Sequence, residues 1–271
     1  MHYTVAERLK KIQEHLGVEP DGVLGGQTLT ALEKRLLPID VRLGQVPANP
    51  LVPTASTQGL TLSQKGIDVI VHHEISSEQY YQSHLIHPTW PGGESGVTIG
   101  IGYDLGYASP QQFERDWGSL LPANDIAKLN RVCGMKSTRA QLMVSSVQSV
   151  TIPLQAATYV FTHSSLPDYA RKTKKTFPGV ENLYADAQAA LVSLVYNRGT
   201  SIKGDSRRDM AAIQPLVVRQ AYNEIAREII NMKRLWVGRG LDGLLRRRDQ
   251  EAQLVAQSAR TYQPDELVRL A

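Results

Sequence analysis

Glu74, Thr98 and Asp104 are the residues whose types and spacing could carry chemistry in this chain. Cleaving a glycosidic bond takes a protonated carboxyl beside the leaving oxygen, and groups across a cleft that hold and activate a water. An acid on a helix, followed by a hydroxyl and a second carboxylate on one open strand face, supplies those types.

The helix that must carry Glu74 begins after Ser63, a capping residue, and places Ile67, Ile70 and Val71 on one stripe. Glu74 lies at i+7 from Ile67 and i+3 from Val71, so the helical period aims it with the apolar face. Carboxylates are rarely buried without a partner or a task, and desolvation favours the protonated form of such a group. If the stripe instead ends one turn earlier, Glu74 is an exposed residue of an amphipathic helix.

The strand is read from Gly96-Val97-Thr98-Ile99-Gly100-Ile101-Gly102-Tyr103-Asp104-Leu105-Gly106. Val97, Ile99, Ile101 and Tyr103 alternate with Thr98, Gly100, Gly102 and Asp104, giving one apolar face and one bare polar face. The glycines leave room for a bulky polymer against the backbone. From Thr98 to Asp104 a straight strand would span roughly 20 Å, at about 3.3 Å per residue. The two can share one site only if the chain bends, and Gly100, Gly102 and Gly106 allow that.

Other residues have two readings each. Trp90 and Tyr103 flank a sugar-binding cleft or pack in the core. Asn197 faces the cleft or simply ends a helix before Gly199. Arg246–Arg248 contact an anionic polymer or form a solvated helix face. Glu94, in Pro91-Gly92-Gly93-Glu94-Ser95-Gly96, could supply the second carboxylate in place of Asp104. His72-His73-Glu74 and His84-x-x-His87 do not have zinc-ligand spacing, and no metal or other cofactor is expected.

Composition bounds the partners. The chain has 271 residues, 42% hydrophobic, with net charge +4 and pI near 9.1, which suits anionic surroundings such as cell-wall polymer. Aromatics make up only 6% and no nucleic-acid-binding motif occurs, so nucleic acid is not an expected partner. One cysteine, Cys133, excludes an internal disulfide and reads as a small buried residue. Met1 to Arg8 has no apolar core for a secretory signal, and no run is long enough for stable membrane insertion. A cytoplasmic product without a signal peptide, acting after specialised secretion or lysis, is the expectation.

The pattern divides into a helical module over 1–37, a Pro-rich linker over 38–60 and a large domain over 61–271. In the module, Val5, Leu9, Ile12 and Leu16 predict a helix closed by Gly17, and a second helix follows over Leu29 to Leu37. In the large domain, helices are expected from Pro110 through Trp117 and over 122–132, 138–148, 153–164, 167–176, 183–198, 207–232 (divided at Pro215) and 242–260. One small β-region among many helices predicts a mainly α, α+β fold.

Several motifs resemble known families. Leu16-Gly17, Asp21-Gly22, Gly25 and Thr28 resemble the helix–loop–helix repeat of peptidoglycan-binding domains. Thr98-Ile99-Gly100-Ile101-Gly102 after a helical Glu resembles phage-type lysozymes, and the order Glu74, Thr98, Asp104 is most similar to pesticin-like muramidases. In many phage lysozymes an Asp stands six residues before the Thr; here that position is Gly92. Ala189 to Gly199 resembles the central helix of these enzymes, and Gly240 to Glu251 a late Gly-Leu-x-x-Arg-Arg-x-x-Glu segment.

The likeness implies a lysozyme-like domain and a bacteriolytic muramidase cutting the β-1,4 bond between N-acetylmuramic acid and N-acetylglucosamine. Glu74 would be the general acid, Asp104 would orient or activate water, Thr98 would position it, and inversion would follow. It implies a monomer acting on peptidoglycan, as an endolysin or as an antibacterial effector with an immunity or inhibitor protein. A non-catalytic wall-binding protein and a lytic transglycosylase are the alternatives.

Overall fold

The computed structural model describes residues 4–22, 28, 31 and 59–270. The chain divides into two compact units, Met1–Leu51 and Val52–Ala271. The expected second helix of the module lies outside the described residues apart from Ala31, in helical conformation, and the linker over 38–60 apart from Gly59 and Leu60.

In the first unit, helix α1 (Val5–Leu16) starts at a capping box between Thr4 and Glu7 and stops at Gly17, with φ 72°. The expected stripe is modified. Ile12 is exposed and the next residue, Gln13, is buried. Gln13 is the hub of the following loop: its Nε2 donates to Asp21 Oδ1 at 2.7 Å and to Thr28 Oγ1 at 2.9 Å, and its Oε1 accepts from the Gly22 amide at 2.8 Å. The Asp-Gly…Thr pattern thus closes on a buried amide, which the helical period could not reveal.

The second unit is mainly helical with small β-elements. Strand β1 (Thr61–Ser63) leads into α2 (Gln64–Ile75), whose N-terminus Ser63 caps as expected. β1 pairs antiparallel with β4 (Leu267–Arg269), joining both ends of the unit. This pairing was not anticipated, because three-residue strands show no readable alternation. Further along come the hairpin strands β2 (Thr98–Ile99) and β3 (Tyr103–Asp104), then α3 (Pro110–Trp117), α4 (Ala123–Asn130) and α5 (Ser137–Val147).

Helix α6 (Leu154–Val160) does not end before the next helix as expected. A π-helical turn, Phe161–Ser165, carries it directly into α7 (Leu166–Thr176), absorbing Pro167 in the first turn of the new helix. The remaining elements are α8 (Ala185–Arg198), α9 (Arg208–Val218), α10 (Tyr222–Asn231) and α11 (Asp242–Ala256).

Pro215 lies inside α9 and does not divide it. The break comes at Gln220, with φ 52°. There Ala221 donates to Leu216 O and Gln220 to Val217 O, a left-handed C-terminal closure.

α8 organises the core. Every residue from Ala185 to Val195 is buried, the polar Asp186, Gln188 and Ser193 among them. Gly66 of α2 lies so close to Ala189 of α8 that an added Cβ would collide with the alanine methyl. α11 packs on α8 and touches α2. Glu74 and Arg247, far apart in sequence, are brought together on this frame.

Candidate active site

Glu74 points with the face of α2 that carries the buried Ile67 and Ile70 and is 19% exposed. It is not a lone desolvated acid. Arg247 of α11, 3% exposed, donates from Nη1 to Glu74 Oε1 at 2.7 Å. The other oxygen, Oε2, faces the hairpin turn: a Cβ added to Gly102 would meet it at 3.4 Å and Tyr196 Oη at 3.0 Å.

Arg247 is itself fixed. Its Nη2 donates to the Ser193 carbonyl at 3.2 Å, and its Nε reaches Ser193 Oγ and Glu251 Oε1 at 3.2 and 3.3 Å. Ser193 Oγ donates to Glu251 Oε1 at 2.6 Å, and Arg248 Nη2 donates to the same oxygen at 2.7 Å. Burial alone would depress the Arg247 guanidinium, but Glu74 and Glu251 outweigh it and hold it above its ordinary range. The reading of Arg246–Arg248 as one solvated or polymer-facing run is therefore corrected. Arg246 is exposed, whereas Arg247 and Arg248 are buried.

The required bend is a hairpin. Gly100 and Gly102 adopt φ 60° and 70°, a region that L side chains disfavour. The chain reverses there, so Thr98 pairs directly with Asp104 and Ile99 with Tyr103. Side chains opposite one another in such a pair stand about 4.5–5.5 Å apart at Cβ. Thr89 adds a bridge on the outer side of Thr98. The apolar members Val97, Ile99, Ile101 and Tyr103 are buried, and Thr98 and Asp104 are half-buried.

Asp104 carries a structural duty as well. Its Oδ1 accepts from the Gly96 amide at 2.9 Å and the Gly106 amide at 2.8 Å, capping the 3-10 turn Leu105–Tyr107. Burial raises its pKa, against the opposing pull of those amides and of Lys136.

The remaining candidates separate. Glu94 is exposed and accepts from Ser137 Oγ at 2.9 Å. Trp90 is half-buried, and its indole donates to the Ser95 carbonyl at 3.0 Å, pinning the loop before β2. Tyr103 is a core residue: its hydroxyl donates to Asp116 at 2.7 Å and its ring meets Trp117 edge-on at 5.7 Å. Its cleft reading is withdrawn, because the strand alternation that exposes Thr98 turns Tyr103 inward. Asn197 is exposed in the last turn of α8.

His73 bonds Gln250, His84 stacks on Tyr80 and His87 bonds the Val150 carbonyl. Cys133 is half-buried, and burial pushes its thiol up to about 11.

Tyr196 and Tyr169 were missed. The Tyr196 hydroxyl donates to Ile101 O at 2.7 Å, and its ring lies 4.2 Å from that of Tyr169, tilted by 37°. Burial and then the Glu74 charge push the Tyr196 hydroxyl well above its ordinary range, and the same causes push Tyr169 up to about 12. Only Tyr196, inside the central-helix motif beside Asn197, stood near a sequence signal.

A depression of about 490 Å³, lined by Gln64, Lys65, Asp68 and His72 of α2 with Gln250 and Glu266, lies on the face of α2 opposite Glu74 and holds none of these residues. The acid, the hydroxyl and the second carboxylate instead gather around the hairpin turn. Among the described residues no helix is long and apolar enough to cross a membrane.

Among curated proteins, none matches this sequence. Residues 69–248, a span that includes Glu74, Thr98, Asp104, Tyr196 and Arg247, match the family described as Domain of unknown function (DUF8812), and the chain belongs to that family.

Proposed function

We propose that the chain is a peptidoglycan-degrading muramidase that hydrolyses the β-1,4 bond between N-acetylmuramic acid and N-acetylglucosamine. The observation that carries this reading is the convergence on one hairpin. Glu74 Oε2 faces Gly102 at the turn, while Thr98 and Asp104 stand opposite each other on its strands.

Glu74 protonates the leaving oxygen as the bond breaks. Thr98 positions the water and Asp104 orients or activates it, so that the water's oxygen joins the anomeric carbon and its proton is taken up on the protein side. Arg247 holds Glu74 Oε1 and leaves Oε2 towards the turn.

The test is clearance of purified sacculi, with mass spectrometry of the products. Muropeptides ending in reducing N-acetylmuramic acid support the reading; sacculi that are bound but left uncut leave a wall-binding protein.

The engagement of Asp104 with the Gly96 and Gly106 amides favours one competing reading, in which Glu74 is the only acid. A lytic transglycosylase needs no water: Glu74 protonates the departing oxygen, and its carboxylate then takes the proton of the muramic C6 hydroxyl as that oxygen bonds to the anomeric carbon. Its products are 1,6-anhydro ends, which the same spectra distinguish.

Release at lysis as an endolysin and delivery into a rival's periplasm as an effector both fit a chain that meets wall polymer outside the cytoplasm. An immunity or inhibitor protein would then cover the hairpin.

A further inference from the structure

Two tyrosine–lysine pairs flank the hairpin; Lys136 draws on the Asp104 carboxyl, but neither pair holds substrate in the chemistry above. On one side, Asp104 caps the turn that carries Tyr107. Gly96, which donates to Asp104, forms a β-bridge with Lys136. The Lys136 ammonium consequently sits 3.4 Å from the centroid of the Tyr107 ring, a ring that is still 65% exposed.

On the other side, Lys172 of α7 lies 4.4 Å from the Tyr169 ring centroid. Tyr169 leans on Tyr196, which is bonded to Ile101 within the hairpin turn. Tyr169 is thus tied to the hairpin turn through Tyr196, and Tyr107 to its strands through the turn that Asp104 caps. Lys172 also pairs with Asp168 at 2.8 Å, but both groups are about two-fifths exposed and water screens that bond.

We propose that these pairs make the cleft selective for an acidic glycan, with a sugar face resting against the exposed Tyr107 ring and carboxylates borne beside the sugar rings meeting Lys136 and Lys172, the latter set in place over Tyr169. A bare tyrosine suits a neutral sugar as well as a charged one. An ammonium held at the ring narrows the choice, because it offers donors and charge at the edge of the stacked sugar. The inference rests on reading the hairpin as a glycan cleft and adds which glycan it accepts.

The experiment uses the full chain carrying Glu74→Gln, so that binding is measured without turnover. Its ligands are solubilised peptidoglycan strands, the same strands with their carboxylates converted to amides, and neutral N-acetylglucosamine oligomers. Native strands should bind on the order of tenfold more tightly than amidated ones, the scale of two exposed charge pairs.

Adding Lys136→Gln and Lys172→Gln should make native and amidated strands bind alike, with an unchanged circular dichroism spectrum. Equal binding of native and amidated strands by the parent, or full discrimination by the lysine variant, overturns the inference. If the unmutated chain still cuts sacculi in that case, the muramidase reading stands without it. Carboxylate-dependent binding with no cleavage by the unmutated chain would leave an acidic-glycan receptor and remove the muramidase. Failure to bind any strand overturns both.

Discussion

Arg247 Nη1 donates to Glu74 Oε1 across 173 positions of sequence at 2.7 Å, and the pair is the junction between the buried α8–α11 network and the hairpin. On one side Arg247 joins Ser193 and Glu251, both inaccessible; on the other, Glu74 reaches the turn at Gly102. The proposed acid is therefore set in direction by the core.

That pairing sets the outcome of Glu74→Gln. Lysis should be almost abolished. The amide can still accept from Arg247 but offers no charge, so the variant should lose about 1–2 kcal/mol of stability. Arg247→Met should lose more, about 3–5 kcal/mol, because the Glu251 carboxylate would be stripped of a partner in the core. Thermal unfolding beside a turbidity assay checks both. A Glu74→Gln protein more stable than its parent would mean that Arg247 contributes nothing to the pair.

Asp104 should separate capping from chemistry. Asp104→Asn keeps an oxygen for the Gly96 and Gly106 amides and should fold normally, whereas Asp104→Ala orphans them and should cost about 1–2 kcal/mol. In a water-using enzyme the Asn variant should be slower by on the order of 10²-fold. A transglycosylase would keep its rate, and Glu94→Gln should change little in either case.

Because burial raises the Asp104 pKa in the fold, its contribution to stability is fullest below the ordinary carboxylate value of about 3.9. It declines as pH rises through the folded value. The stability of Asp104→Asn relative to the parent should accordingly improve from acid towards neutral pH. Urea midpoints collected across that range are the measurement, and a difference falling with pH would contradict the sign.

Gly102→Ala tests the geometry of the turn. The residue has φ 70°, and the new methyl would press on Tyr196 Oη and approach Glu74 Oε2. A loss of about 1–2 kcal/mol is expected from the backbone strain. Activity should fall further than stability explains, because the acid's free oxygen is the atom crowded. An assay at a temperature where the variant is fully folded separates the two effects.

Residues 1–51 should serve binding. A shortened chain beginning at Val52 should cut soluble strands at the parent rate but co-sediment less with sacculi, since tethering raises local concentration at the polymer. Gln13→Ala in the full chain should reproduce much of that loss by removing the partner that Asp21, Gly22 and Thr28 share. Equal sedimentation of parent and shortened chain would give this unit another role.

Helical and strand periods, both local properties, made much of this legible. The i+3 and i+7 spacing correctly put Glu74 on the face of Ile67 and Ile70, and alternation correctly divided Thr98 and Asp104 from Val97, Ile99 and Ile101. The same alternation already assigned Tyr103 to the apolar side, so its core position could have been read.

What only the tertiary structure decided are the matters set by chain closure. The three-residue strands Thr61–Ser63 and Leu267–Arg269 meet through contacts more than 200 positions apart, too short to leave a pattern. An Arg-Arg run on a helix is usually solvated; here Ser193, Glu251 and Glu74 compensate the buried Arg247 and Glu251 also partners Arg248, and the Ser193 and Glu74 contacts exist only once α2, α8 and α11 pack. Periodicity records which side of an element turns inward, but the partner waiting there is fixed by packing, and for Glu74 that partner is what directs the acid.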